Sequence, residues 1–552
     1  MHHAAVEILV LLLVGCVVGV TARRFRLPYT LALVLAGIGL GFVEAEQLQA
    51  FELNADLLFT FLLPALLFEA ALHLDARDFA RNAFAIISLA VPGVLVAMAV
   101  TAAVSYGAIA LTGLDPAFGV VEALLFASVI AATDPISVLA LFKTLGVERR
   151  LYLLVEGESL LNDGVAVVIF LIVAAVFGIS VGHGGHHPEL HGTQEIAVFG
   201  IRTFFWMAGG GVLIGAMAGG IATVFIRYFD DHLVEITVTT VVAFGSFLLA
   251  EGFGCSGVLS TVTAGVVTGS FGTLYGMSTR TRLAVEDFWE YAAFVANTLV
   301  FLLVGVELQI APLLSDIAVI SAAFIATLAG RAAAVSLAIP ATRFTARPVP
   351  SKWGLVMWWG GLRGSLSMVL ILGLPHDFAG RELLIHVVFG VVSASLFLQG
   401  LTTGPLLARL GLSASRSERV REMESQRVLL ISAGQSLHRL EELHREGVVT
   451  QVVYERIRSW LQARRGDATR SLEAVLEEGV ELRAEEASEV LLQLLDVERE
   501  AIRHAARADV VGAHAVQGAL QELDERLAQL KDADHHGHLR EAVDHVLGPE
   551  VG

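Results

Sequence analysis

The sequence predicts an all-α polytopic membrane protein carrying a soluble helical tail, on three observations. Hydrophobic residues make up 55 % of the 552 residues and mean hydropathy is +0.69, well above the apolar share of an ordinary soluble chain. Apolar segments near the ~20 residues that a bilayer requires recur thirteen times before residue 410. Charge density then steps up: residues 1–410 hold 19 Lys/Arg and 28 Asp/Glu, whereas residues 411–552 hold 18 and 27. That step divides the chain into a membrane domain (1–410) and an acidic cytoplasmic tail (411–552) expected to be regulatory. Net charge is −18 with no basic stripe, which argues against a nucleic-acid partner. The two cysteines, Cys16 and Cys255, provide neither a disulfide framework nor a thiolate metal site.

The expected spans are 5–22, 28–43, 55–73, 83–104, 119–143, 151–178, 196–226, 233–250, 256–275, 288–308, 315–341, 353–374 and 384–408. Met1–Glu7 lacks the positive n-region of a signal peptide, and the first cations, Arg23, Arg24 and Arg26, follow the first apolar run. By the positive-inside rule the N-terminus is outside. Alternation then puts Arg77 and Arg81, Lys143, Arg149 and Arg150, Arg227, Arg280 and Arg282, and Arg343, Arg347 and Lys352 inside. The loops left outside are poor in Lys and Arg, and an odd number of spans returns the C-terminus to the cytoplasm.

Two spans carry breakers. The fifth contains Thr133-Asp134-Pro135, where proline removes a backbone donor and clashes with the preceding turn. The eleventh contains Gly330-Arg331, where glycine permits a break. Two discontinuous helices in corresponding halves are the mark of inverted-repeat transporters, here pairing spans 2–6 with 8–12. Gly211, Gly215 and Gly219 in the seventh span, with Gly265 and Gly269 in the ninth, follow the small-xxx-small spacing that lets helix backbones approach closely.

The sixth span opens with Glu156-Gly-Glu158-Ser159-Leu-Leu-Asn162-Asp163-Gly164, three acids and an amide where a membrane helix is required. A carboxylate at the bilayer centre costs about 2.5–3.5 kcal/mol on insertion scales, so such groups face the bundle interior and handle ions or protons. Helical spacing puts Glu158 and Asn162 on one face, Ser159 and Asp163 on the next. Deep charges are Asp134, Glu158, Asp163, Arg331 and Arg363, with Glu69 nearer the inner end of the third span. If both arginines answer carboxylates, one acid is left over. Burial favours its protonated form and a cation its charged form, so one site serves two competing ligands. Oxygen ligands from Asp, Ser, Asn and freed carbonyls suit hard alkali cations. Asp163 is the expected ion carrier.

Thr133-Asp134-Pro135 followed by Glu158-Ser-Leu-Leu-Asn-Asp163 resembles the signature of NhaP/NHE-type sodium/proton antiporters, in the first monovalent cation:proton antiporter family. Phe59-Thr-Phe-Leu-Leu-Pro-Ala-Leu-Leu-Phe-Glu69, Gly330-Arg331 and Gly360-Gly-Leu-Arg-Gly364 extend the similarity over about residues 10–410. The resemblance implies an electroneutral exchanger of Na+, and of Li+, for H+ by alternating access, with no cofactor and a role in pH homeostasis. It implies Asp163 as the cation- and proton-binding carboxylate, with Asp134, Ser159, the Thr133 backbone carbonyl and Glu69 around the metal. Asn162 counts with this set as the Asn-Asp form of the motif, which goes with one-for-one exchange. Glu158 and Arg331 would form a structural ion pair at the helix break, and Arg363 would stabilise the core. The family fold implies a homodimer with a dimerisation domain and a six-helix core that moves like an elevator.

Two rival readings remain at this stage. A potassium/proton exchanger of the same fold would use the same cage. Gly254-Cys-Ser256-Gly257 also matches the GxSG of intramembrane serine proteases, although a nucleophilic serine needs a base within reach and Ser256 equally suits a helix N-cap. His183, His186, His187 and His191 form a polar outer loop with no standard zinc spacing. His73, four residues after Glu69, sits at a helix end. In the tail, apolar spacing predicts helices over 418–446, 448–464, 467–480 and 483–529, ahead of a polar end at 531–538.

Overall fold

The computed structural model describes residues 2–25, 29–41, 58–110, 112–181, 192–228, 231–272, 277, 279–307, 315–345, 347–412 and 415–478, with isolated positions between 491 and 523. The outer-loop histidines, the fourth tail helix and the polar end at 531–538 lie outside the described residues or largely so. The chain divides into two compact units, Met1–Ser413 and Ala414–Gly552.

Among the described residues, each of the thirteen apolar segments is largely helical. In chain order the helices are α1 (His2–Phe25), α2 (Tyr29–Gly41), α3 (Leu63–Leu72, led in by a π turn), α4 (Ala76–Ile109), α5 (Val120–Val129), α6 (Ile136–Leu145), α7 (Arg149–Val176), α8 (Thr193–Ile226) and α9 (His232–Gly252). There follow α10 (Gly257–Val267), α11 (Thr279–Glu307), α12 (Ile317–Ala341), α13 (Ser351–Trp359), α14 (Ser365–Leu372) and α15 (Arg381–Arg409). Among the described residues, α4, α7, α8, α9, α12 and α15 are long and apolar enough to cross a membrane by length and composition.

The fifth apolar segment breaks where Pro135 requires it, leaving α5 and α6 on either side of 130–135. The eleventh does not break. Helix α12 runs unbroken through Gly330-Arg331, and Gly330 is small for another reason: a Cβ there would press on Thr101 and the Ala97 carbonyl of α4. The second break lies one segment later, over 360–364 between α13 and α14. Three glycines in five residues give that stretch the freedom to leave helical geometry.

Close packing follows the glycine spacing. Gly211, Gly215 and Gly219 of α8 face the Ser256, Ser260 and Ala264 carbonyls along α10, and Gly265 of α10 and Gly269 of the π turn that continues it face Phe68 to Leu72 of α3. Arg150 of α7 donates to Asn82 Oδ1 of α4 (3.0 Å) and to the Pro348 (3.2 Å) and Arg347 (2.6 Å) carbonyls, tying two helix starts to the loop before α13. At another point Asp316 Oδ2 meets His386 Nδ1 at 3.3 Å, joining the starts of α12 and α15.

In the second unit, α16 (Ser415–Arg445) packs on α17 (Gln451–Glu478). Gly447 turns the connection with φ +76°. His444 stacks on Tyr454 with ring centroids 4.2 Å apart, and Ala433, Leu440, Leu461 and Ala468 are buried. The helices expected over 448–464 and 467–480 are one continuous helix, because Gly466 costs only about 1 kcal/mol and does not stop it.

Candidate functional site

The two breaks meet. The Asp134 amide donates to the Leu362 carbonyl at 2.8 Å, tying the first break to the second. A broken helix frees carbonyls that burial forbids leaving bare, and those of Val129, Ala131, Ala132 and Thr133 each find a side chain. Val129 O accepts from Ser367 Oγ (2.9 Å), and Ala131 O from Asn162 Nδ2 (3.0 Å) and Arg363 Nη1 (3.0 Å). Ala132 O accepts from the same Nη1 (3.2 Å) and Thr133 O from the Ser159 hydroxyl.

The arginines do not both answer carboxylates. Arg331 does, gripping Glu158 through two bonds of 2.7 and 2.8 Å, with the residues 6 % and 1 % exposed. It also donates to Met357 O (3.2 and 3.1 Å), near the C-terminal end of α13. Arg363 instead holds the Ala131 and Ala132 carbonyls just past α5. Both guanidinium groups therefore sit at the negative ends of half-helices, where cations are favoured. With Glu158 taken, the two aspartates are what remain of the deep acids, rather than one acid as the sequence count implied.

Those two have different surroundings. Asp134 Oδ1 accepts from the Ile136 amide at 2.9 Å, at the positive end of α6. Asp163 Oδ1 is buried and has no hydrogen-bond partner among the described residues. Asp163, Asp134, Thr133, Ser159 and Glu69 all line one cavity of about 510 Å3, which runs out to the exposed Lys143, His73 and Glu290. Glu69 stands part-way along it, 3.6 Å from His73 Nδ1. Asn162 departs from expectation. It does not line the cavity; its amide donates to Ala131 O, to Thr133 Oγ1 (3.0 Å) and towards Glu158, bracing the break instead.

Sequence reasoning gave no role to Tyr152, Glu156 and Asn297, which also line the cavity. Tyr152 Oη donates to Glu156 Oε1 at 3.3 Å. The signal was available: Tyr152, Glu156, Ser159 and Asp163 follow at four, three and four residues, one face of α7. Ser256 lies elsewhere, capping α10 by accepting from the Leu259 amide at 3.3 Å.

Residues 8–409 match the family model described as "Sodium/hydrogen exchanger, transmembrane". The chain belongs to the sodium/hydrogen exchanger family. This exchanger is 39 % identical over 396 residues to the Na(+)/H(+) antiporter ApNhaP of Aphanothece halophytica, covering 71 % of the chain and 72 % of that protein. It is 37 % identical to the Na(+)/H(+) antiporter NhaH of Halobacillus dabanensis, covering 74 % of the chain and 99 % of the relative. Its fold is similar to that of the sodium proton antiporter MjNhaP1 of Methanocaldococcus jannaschii, with TM-score 0.57 and 18 % identity over 74 % of the chain and 99 % of that structure. Membership makes the exchanger a multi-pass membrane transporter and not an enzyme. The protease reading of Ser256 falls with it.

Proposed function

We propose that the protein exchanges Na+, and Li+, for H+ one for one, with the two cations competing for Asp163. One observation carries the reading: a buried carboxylate oxygen without a partner, at a cavity wall shared with Asp134, Thr133 and Ser159. The relatives named above are sodium/proton antiporters, which supports it, and the potassium reading has no such support. Asp163, Asp134, the Ser159 hydroxyl, the Thr133 carbonyl and Glu69 are the oxygens that would hold Na+. Glu158–Arg331 and Arg363 hold the frame, and Asn162, being non-titratable, adds no second proton.

The thirteen-span arrangement, with N-terminus outside and C-terminus cytoplasmic, belongs to the same proposal. Arg150 drawing together Asn82, near the start of α4, and the loop at Arg347 and Pro348, all expected inside, supports it. On that topology the cavity faces the cytoplasm, since Lys143 and His73 stand at its mouth. The broken segments, fifth and twelfth, are seven spans apart, and an odd offset reverses chain direction as an inverted repeat requires. An offset of six, as first expected, would have kept it. A membrane domain of 1–410, a regulatory tail of 411–552 and a homodimer with a moving core complete the reading.

The test is purified protein in liposomes enclosing a pH dye, with Na+, Li+ and K+ added in turn and membrane voltage set by valinomycin. Na+- and Li+-driven proton movement that is insensitive to voltage is expected. Equal response to K+, or a rate that follows voltage, defeats the selectivity or the stoichiometry respectively.

A further inference from the structure

The second break removes one hydrogen bond that can be named. In a continuous helix the Trp359 carbonyl would accept from the Arg363 amide four residues on. Here the two groups are parted, yet neither is orphaned. Gln399 Nε2 donates to Trp359 O at 2.8 Å, and the Arg363 amide donates to Ser395 Oγ at 3.0 Å. Ser395 Oγ in turn donates to Gln399 Oε1 at 2.5 Å. The directions are forced: the Trp359 carbonyl can only accept, so the Gln399 amide nitrogen faces it and the Gln399 oxygen faces the serine.

We infer that Ser395 and Gln399 are positioning residues that splice the missing Trp359–Arg363 hydrogen bond and so hold the crossing open for ion exchange. Both side chains are buried, at 0 % and 2 % exposure. Both come from the π turn Ser395–Gln399 in α15, a local geometry rare in helices and frequent at functional sites. The relay reaches the cavity in two steps. It fixes the Arg363 backbone, whose guanidinium holds the Ala131 and Ala132 carbonyls; and it fixes the residue beside Leu362, whose carbonyl holds the Asp134 amide. Without it, a buried amide and a part-buried carbonyl lose their partners together, and the stretch that seats Asp134 loses its support.

The role in transport rests on the proposed exchange, so the test has one readout that does not. Full-length wild type, Ser395→Ala, Gln399→Met, the double variant and Ser395→Thr are compared. Amide hydrogen exchange of the 360–364 segment should quicken at least tenfold in both single variants, with α13 and α14 otherwise unchanged. Exchange that is unchanged or slower overturns the relay. In liposomes, each single variant should lose at least tenfold in Na+-driven exchange, the double variant no more than the worse single, and Ser395→Thr should stay within twofold of wild type. Losses that multiply in the double variant, or a threonine variant as poor as alanine, reduce the pair to ordinary packing and overturn the inference. A wild type that moves no protons with Na+ defeats the transport reading, while the hydrogen-exchange result still judges the relay.

Discussion

Gly364 and Asp134 meet where the two helix breaks touch, with no space for a methyl group between them: a Cβ on Gly364 would stand 2.8 Å from Asp134 Cγ. The glycine at the head of α14 is therefore a condition for where the aspartate sits. Gly364→Ala should cut Na+-driven proton movement at least tenfold, because Asp134 must swing or the two breaks must part. Gly209→Ala, where a Cβ meets nothing within 4 Å, should leave the rate within twofold. The liposome pH-dye assay separates the two, and equal rates would refute the packing argument.

Asp163→Asn removes the proposed carrier and keeps the shape. Transport should vanish while the protein still inserts and elutes as wild type on size exclusion. Exchange at the normal rate in this variant would move the ion site elsewhere.

Competition for one carboxylate has a definite pH sign. Protons favour the neutral form, so lowering the pH should raise the apparent KM for Na+, by about tenfold per unit once the site is mostly protonated, with little change in maximal rate. A KM constant across pH with a falling maximal rate would mean that protons act at a separate place.

Removing one partner of the Glu158–Arg331 pair strands a buried charge, at a cost of about 3–5 kcal/mol. Glu158→Gln should lower thermal stability in detergent accordingly. Glu158→Gln combined with Arg331→Met should recover much of the loss, since no lone charge remains. If the double variant is less stable than Glu158→Gln, the Arg331 bonds to Met357 O outweigh the pair.

The proline break was legible because proline acts on the backbone whatever surrounds it. Glycine carries two meanings that letters do not separate. At Gly330 it makes room for a neighbouring helix; at Gly360, Gly361 and Gly364 it lets the chain turn aside. The break was accordingly expected at the first and found at the second. The resemblance paired Arg331 with Glu158, as the structure has it, whereas counting charges gave each arginine a carboxylate and could not foresee that Arg363 answers carbonyls, which every residue possesses. Likewise Asn162 reads as a ligand from its place beside Asp163, whereas its reach to Ala131 and Thr133 depends on how α5 ends.

The row of Gly211, Gly215 and Gly219 against the Ser256, Ser260 and Ala264 carbonyls sets a rule for motion. Where main chain rests on main chain over successive turns, no rotatable groups lie between the two rods to slip past one another. Helices α8 and α10 must travel as a single plank or stay still together, and any rearrangement that exposes the aspartates to the far side has to find its sliding surface elsewhere.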